Sequence, residues 1–245
     1  MIRKAKKFLF VEHQYPFQNF ALTYEMCEAL RRNDKLKVII ITPVKTDLPT
    51  GLVGDLVDWS QDHIISHLHQ IYKVAPERVG IYGLVRQDDY RKLIKPIYVH
   101  SKLVIVDDEF IVTGSCNMDD QSFFYSSEIC INILDQNMAK QTREKLCREH
   151  LGDAFLPEMN NNFDLLFETC KKIAEQNKDM ITNSKKLKGR LVLMVPENNY
   201  GLLKKHVYYP NKVTKALFKM GVNTEDLLYE FIKKLPFQTA NRSKL

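Results

Sequence analysis

No stretch of the 245 residues approaches eighteen consecutive apolar positions, so no helix long and apolar enough to cross a bilayer is expected. No C-x-x-C pair occurs either. The five cysteines (Cys27, Cys116, Cys130, Cys147 and Cys170) are odd in number and widely spaced, which argues against a zinc knuckle or a disulfide framework and for a reducing compartment. Neither an internal repeat nor a low-complexity tract is present. The basic start "MIRKAKKFLFVEHQYPF" has a run of only four apolar residues before Glu12, too short for a secretory signal. Charge of neither sign dominates: 36 Lys+Arg against 30 Asp+Glu leave +6, a mild basicity that suits a phosphate-bearing partner without specifying one. A hydrophobic share of 44% and a charged share of 27% exclude disorder, collagen and coiled coil as descriptions of the whole chain. The chain ends Ser243-Lys244-Leu245, a peroxisomal address in a host that has peroxisomes; otherwise a cytoplasmic location, with membrane association, is expected.

Strand and helix signals alternate along the first part of the chain. Residues 8–11 form an apolar run and "KLKVIIITPV" a β-branched one, both read as buried strands, with a helix over residues 20–32 between them. "LVDWSQDHIISHLHQIYKV" has helical spacing, "RVGIYGLV" is strand-like, and "VHSKLVIVDDEFIVTGS" reads as a hairpin turning at Asp107-Asp108-Glu109. A strand in "SSEICINIL" and a helix in "NMAKQTREKLCREHLG", stopped by Gly152, follow. This alternation predicts an α/β fold, a mixed β-sheet flanked by helices, over residues 1–152. After the Pro/Asn-rich "LPEMNNNF", residues 153–245 are expected to form a helical and strand extension packing on the first part, with a final helix near "NTEDLLYEFIKKL".

The hairpin carries the chemistry. His100 and Lys102 are two apart and so share one face of a strand. Gly114, Ser115 and Asn117 end the returning strand, and a hairpin brings its two outer ends together. An imidazole, an ammonium, a hydroxyl and a carboxamide would then meet, which is an inventory for holding a phosphodiester and attacking its phosphorus. A histidine base also needs an acceptor for its second ring nitrogen. Asp107 lies at the far, turn end of the hairpin and is expected to be mainly a structural turn residue; Glu128, on the next strand, is the better orienter.

"HSKLVIVDDEFIVTGSCN" resembles the phospholipase D superfamily signature, H-x-K-x4-D-x6-G-S-x-N, at every fixed position. Neighbouring segments agree in order: "AKKFLFVEHQYPF" is similar to the I-Y-I-E-N-Q-Y-F that opens the second catalytic half of the two-motif enzymes. "REKLCREHLG" resembles the R-x-x-L-W-x-E-H-L-G that closes it, and "LKGRLVLMVP" the K-G-x-L-V-x-x-P-L of the C-terminal region. The resemblance implies a double displacement through a phosphohistidine, with no cofactor or metal. His100 would be nucleophile or general acid/base, Lys102 and Asn117 would bind phosphate, Ser115 would support them, and Asp107 and Glu128 complete the implied catalytic set. Gln14, Glu12, His13 and Gly114 would line the substrate-binding rim. Three positions depart from the family pattern: His13 stands where Asn is usual, Gln121 where Arg is common, and Ser127 where Asp is common.

Other features take plainer readings. His63, His67 and His69 lack a Glu or Cys at ligand spacing and are expected on a solvated helix face. Cys116 is expected to be a buried thiol turned away from Ser115 and Asn117. The stretch Lys185–Arg190 is expected to be a solvated turn, with anionic headgroups as its rival partner.

The leading expectation is a phospholipase D-like phosphodiesterase that hydrolyses or transphosphatidylates a phospholipid, in peripheral contact with a membrane. Its arithmetic is incomplete, because two H-x-K motifs are needed and His13, His63, His67, His69, His150 and His206 all lack a lysine two residues on. A homodimer, a partner half supplying the second motif, or an inactive half would each account for that. The alternatives are a homodimeric single-motif endonuclease, with nucleic acid as substrate, and a non-catalytic phosphate-binding module.

Overall fold

The structure, a computed structural model, describes residues 1–44, 52–87, 94–196, 199 and 203, with the side chains of the second helix from residue 61 onward. The expected final helix, the terminal Ser243-Lys244-Leu245 and His206 lie outside the described residues.

Strands β1 (Phe8–His13), β2 (Lys37–Thr42) and β3 (Val79–Gln87) run parallel, joined by helices α1 (Phe20–Arg32) and α2 (Leu52–Val74). The hairpin strands β5 (Lys102–Val106) and β6 (Phe110–Gly114) and the strand β7 (Cys130–Leu134) extend the sheet antiparallel on the other side of β1. With β4 (Ile94–Pro96) the order is β4-β3-β2-β1-β5-β6-β7, and β8 (Leu191–Leu193) also pairs with β3. β3 shares its outer edge between β8 at residues 82–84 and β4 at 85–87. The sheet is therefore mixed, as expected. β4, three residues long, has too little pattern to be read from sequence.

Both faces of the sheet are covered. Leu9, Val11, Val38 and Ile40 pack with Met26 and Leu30 of α1 and Ile64, Leu68 and Ile71 of α2. Phe10, Ile39, Leu103 and Ile105 pack with helices α3 (Gln136–Leu151) and α4 (Phe163–Thr182), through Ala139, Cys147, Phe167 and Cys170. This two-sided burial explains the continuous apolar runs of β1 and β2, since strands covered on both faces need no alternation. The helices start on side-chain caps: Asn19 accepts from Leu22 N at 3.2 Å, Asp135 from Met138 N at 2.9 Å and Asn162 from Leu165 N at 2.9 Å. Gly152 ends α3 at φ 57°, the left-handed position its glycine suggested. α4 and β8 share the sheet and core with the segments before residue 152, and "LPEMNNNF" holds a short 3-10 turn with Met159 buried.

The helix histidines are placed otherwise than expected. His67 is buried, its Nδ1 3.1 Å from the Thr23 hydroxyl of α1, and its ring meets that of His63 at 4.8 Å. Burial lowers the pKa of both. His67 joins the two helices, while His63 and His69 are half-buried. Among the described residues no group of three or more His, Cys, Asp or Glu is placed to hold a metal, and no helix is long and apolar enough to cross a membrane.

Candidate active site

The site is built where β1 and β5 end side by side. Antiparallel register sets His13 against Lys102, so the segment after β1 meets the start of the hairpin. Gln14 N donates to Ser101 O at 2.9 Å. The Lys102 ammonium donates to Gln14 Oε1 at 2.6 Å and to the His100 carbonyl at 2.9 Å, and lies 3.3 Å from His100 Nε2. The Tyr98 hydroxyl accepts from Gln14 Nε2 at 2.6 Å, which fixes the amide so that its oxygen faces the lysine. A neutral His100 ring with its proton on Nδ1 would accept from this ammonium through Nε2. The His100 ring is exposed. Partial burial lowers the Lys102 pKa, while Glu128 and Asp119 oppose that shift.

The returning strand supplies the other half. The Ser115 hydroxyl donates to Glu128 and accepts from Ile129 N at 3.1 Å, and Asn117 N donates to Ser122 Oγ at 3.1 Å. Asn117 Oδ1 is buried without a hydrogen-bond partner. Lys102, Asn117, His13 and Cys116 line one cavity of about 560 Å3, walled by Val104, Val112 and the N-terminal residues 1–4. Asp119, not singled out from the sequence, accepts from Ser122 N at 2.6 Å, and burial raises its pKa.

Several expected site residues are placed otherwise. Asp107 is the exception, at the turn that its place in the hairpin predicts and away from the set that the resemblance implies. It sits at the turn with φ 55°, and its carboxylate accepts from Lys6 N (2.7 Å), Lys7 N (2.8 Å) and Phe8 N (2.7 Å). Five residues of extended strand, about 16 Å, separate it from Lys102. Asp108, also left-handed at φ 54°, is held by the buried Arg143 at 2.8 and 2.6 Å. The aspartates of the motif therefore lock the hairpin to β1 and α3.

His13 is 2% exposed, not a titratable rim group. Its Nδ1 accepts from Tyr15 N at 3.2 Å. Burial first, and Lys102 second, push its pKa down to about 3 against a backbone hydrogen bond at Cys116. It is a neutral clamp between β1 and the Ser115–Asn117 segment. Glu12 is buried as well: it accepts the Ser101 hydroxyl at 2.8 Å and lies 2.7 Å from His150 Nε2. Glu128 reaches Ser115 in place of the His100 ring. Gly114 has a packing reason: a Cβ there would lie 2.0 Å from Ile129 O. Cys116, expected to be buried, is only half-buried and shares the cavity with Asn117. Of the expected set, the structure brings His100, Lys102 and Gln14 together at one strand end, Ser115 with Glu128 on the next, and Asn117 beside Lys102.

Arg143 and His150 are structural residues the sequence could have revealed. The buried stripe of α3 is Ala139, Arg143, Cys147, His150 and Leu151. Two ionisable residues at core spacing require partners, and these are the half-buried Asp108 and the buried Glu12.

The fold is thus a mixed α/β sheet whose hairpin carries a His-x-Lys pair at one strand end, with Asn117 in the cavity beside the lysine. The family described as "Cardiolipin synthase, PLD-like domain" matches residues 1–149, and the chain belongs to this phospholipase D-like family. It is similar to phospholipase D A of Dictyostelium discoideum, at 27% identity over 173 residues, covering 58% of this chain and 14% of that protein. Cardiolipin synthase 1 of Staphylococcus epidermidis is 28% identical over 146 residues, covering 59% of this chain and 24% of that protein. The chain thus spans a quarter or less of the length of these relatives. Among solved structures it is similar to the phospholipase D family member Nuc of Salmonella typhimurium, with a TM-score of 0.39, 18% identity and coverage of 59% of this chain and 78% of that one. It is also similar to the phosphatidylserine synthase of Haemophilus influenzae, with a TM-score of 0.46, 17% identity and coverage of 75% and 42%.

Proposed function

We propose that the chain is a phospholipase D-like phosphodiesterase acting on a phospholipid, by hydrolysis or transphosphatidylation, through a phosphohistidine. The observation that carries this reading is the exposed His100, whose Nε2 lies 3.3 Å from the Lys102 ammonium. A phosphodiester entering here takes the lysine's hydrogen bonds onto its oxygens and frees Nε2 to attack. An N–P bond forms and the P–O bond to one alcohol breaks. The alkoxide needs a proton, which the histidine of a second H-x-K unit supplies. That histidine then takes a proton from water or an acceptor alcohol, whose oxygen attacks phosphorus and releases His100. Lys102 and Asn117 hold the charge that builds on the phosphoryl oxygens. Membrane-facing use of the Lys185–Arg190 stretch is part of the same reading.

The chain carries one H-x-K, so the reading requires a second copy or a partner unit. Large apolar side chains beside the motif support such pairing: Phe123, Phe124, Tyr125, Ile129 and Ile131 are all exposed, as are Phe20 and Tyr24. Three of them sit on a single π turn, Gln121–Tyr125, closed by Ser126 N to Gln121 O at 2.9 Å.

The test incubates the full chain with phosphatidylcholine or phosphatidylglycerol vesicles, follows headgroup release, and determines its mass by sedimentation. Headgroup release that His100→Ala abolishes, from a species of twice 28.7 kDa, is expected. Radiolabelled phosphate trapped on His100 would identify the nucleophile. DNA cleavage with lipid untouched would favour the nuclease. Inactivity of a monomer on both substrates would overturn catalysis by this chain alone.

A further inference from the structure

Cys116 and Cys130 face each other across the end of the β6–β7 ladder. Gly114 pairs in register with Cys130, and Cys116 follows Gly114 by two residues, just past the end of β6. Both cysteines line the cavity that holds Lys102 and Asn117, where the Cys116 thiol donates to the Asn117 carbonyl at 3.3 Å. Cys130 is exposed and Cys116 half-buried, whereas Cys27, Cys147 and Cys170 are buried.

We propose that Cys116 and Cys130 form a redox pair, closed to an intramolecular disulfide by exchange with a small disulfide such as oxidised glutathione. The Cys130 thiolate attacks one glutathione sulfur. The glutathione S–S bond breaks, one glutathione thiolate leaves, and Cys130 carries a mixed disulfide. Cys116 then loses its proton and attacks Sγ of Cys130, expelling the second glutathione. Two protein thiols have lost two electrons, and one glutathione disulfide has become two thiols. The order follows from exposure and acidity: burial, with Cys130, Glu128 and Asp119 nearby, pushes the Cys116 thiol up to about 11, so it is the resolving partner.

Closure has a mechanical consequence. Both thiols are free in this structure, and a disulfide holds its two sulfurs at about 2 Å. Forming the bond draws Cys116 toward β7, and with it Ser115 and Asn117, its neighbours in the chain. On the reading of this hairpin as a phosphodiesterase site, oxidation therefore displaces a phosphate-holding side chain and switches the enzyme off.

The experiment equilibrates the full chain with graded ratios of oxidised to reduced glutathione, alkylates free thiols and digests after glutamate. Glu128 lies between the two cysteines, so the disulfide appears as two linked fragments. These linked fragments are expected, two hydrogen masses lighter than their reduced sum and absent from Cys116→Ser and Cys130→Ser. Headgroup release should fall by about a hundredfold, return with dithiothreitol, and persist in oxidised Cys130→Ser. Glutathione left on Cys130, or no link at any ratio, would overturn the pair. A link without loss of activity would overturn its coupling to the site. Should the reduced chain not act on lipid at all, the functional reading fails while the linked fragments still decide the pair.

Discussion

Replacing Asp107 separates the two roles an aspartate of this motif could have. Its carboxylate accepts three backbone N–H groups. The Lys6 and Lys7 amides belong to exposed residues and can turn to water, so each loses about 0.5 kcal/mol. Phe8 is 5% exposed, and losing a charged acceptor there costs about 1.5–2 kcal/mol. Alanine at φ 55° adds about 1 kcal/mol, because its Cβ crowds the following carbonyl. Asp107→Ala should therefore lower stability by about 3–4 kcal/mol, read as a lower urea midpoint by circular dichroism with the slope unchanged. Asp107→Asn keeps one acceptor oxygen and tolerates the left-handed backbone, and should lose about half as much. Headgroup release per folded molecule should be unchanged in both. A wild-type midpoint for Asp107→Ala would refute the anchoring argument. A folded Asp107→Asn without activity would show that the carboxylate takes part in the chemistry.

Four further outcomes are expected. Lys102→Ala and Asn117→Ala should each slow headgroup release by about 10²–10³-fold while shifting the urea midpoint little. Arg143→Ala leaves Asp108 without its buried partner and should cost about 3–5 kcal/mol; adding Asp108→Ala should recover part of that in a double-mutant cycle. His13 has a folded pKa of about 3 against about 6.5 unfolded. The unfolded chain binds the extra proton, so stability is full above pH 6.5 and is lost as pH falls toward 3. Urea midpoints at pH 7 and 5 should show wild type losing about 2 kcal/mol more than His13→Asn. Gly114→Ala drives a Cβ into Ile129 O and should cost about 3 kcal/mol and remove hydrogen-exchange protection from β7.

Much of the fold was legible because the strong strands and helices agree with their surroundings. β1, β2 and β3 are continuous apolar runs, and α1 and α3 begin on Asn19 and Asp135. The group of His100, Lys102 and Asn117 was legible because motif spacing and hairpin geometry place them together. The rim was not. Glu12, His13 and Gln14 follow one another in sequence, and burial gives them separate duties: a tie to Ser101 and His150, a neutral clamp, and a lysine holder. Only tertiary packing distinguishes a buried histidine from an exposed one. The partner of Glu128 was misread for the same reason, since strand position does not say which of two nearby polar groups a carboxylate will reach.

Glu12 joins segments far apart in the chain. One oxygen receives Ser101, between His100 and Lys102, and the other faces His150 at the end of α3, whose carbonyl accepts from Arg190 N at 2.8 Å. The strand end that presents His100 is therefore fastened to the chain leading into β8. Local opening at residues 189–190 would loosen the reactive histidine without touching it, and the two regions should exchange their amide protons as one cooperative unit. Precision at the site thus depends on a segment that contributes no atom to it.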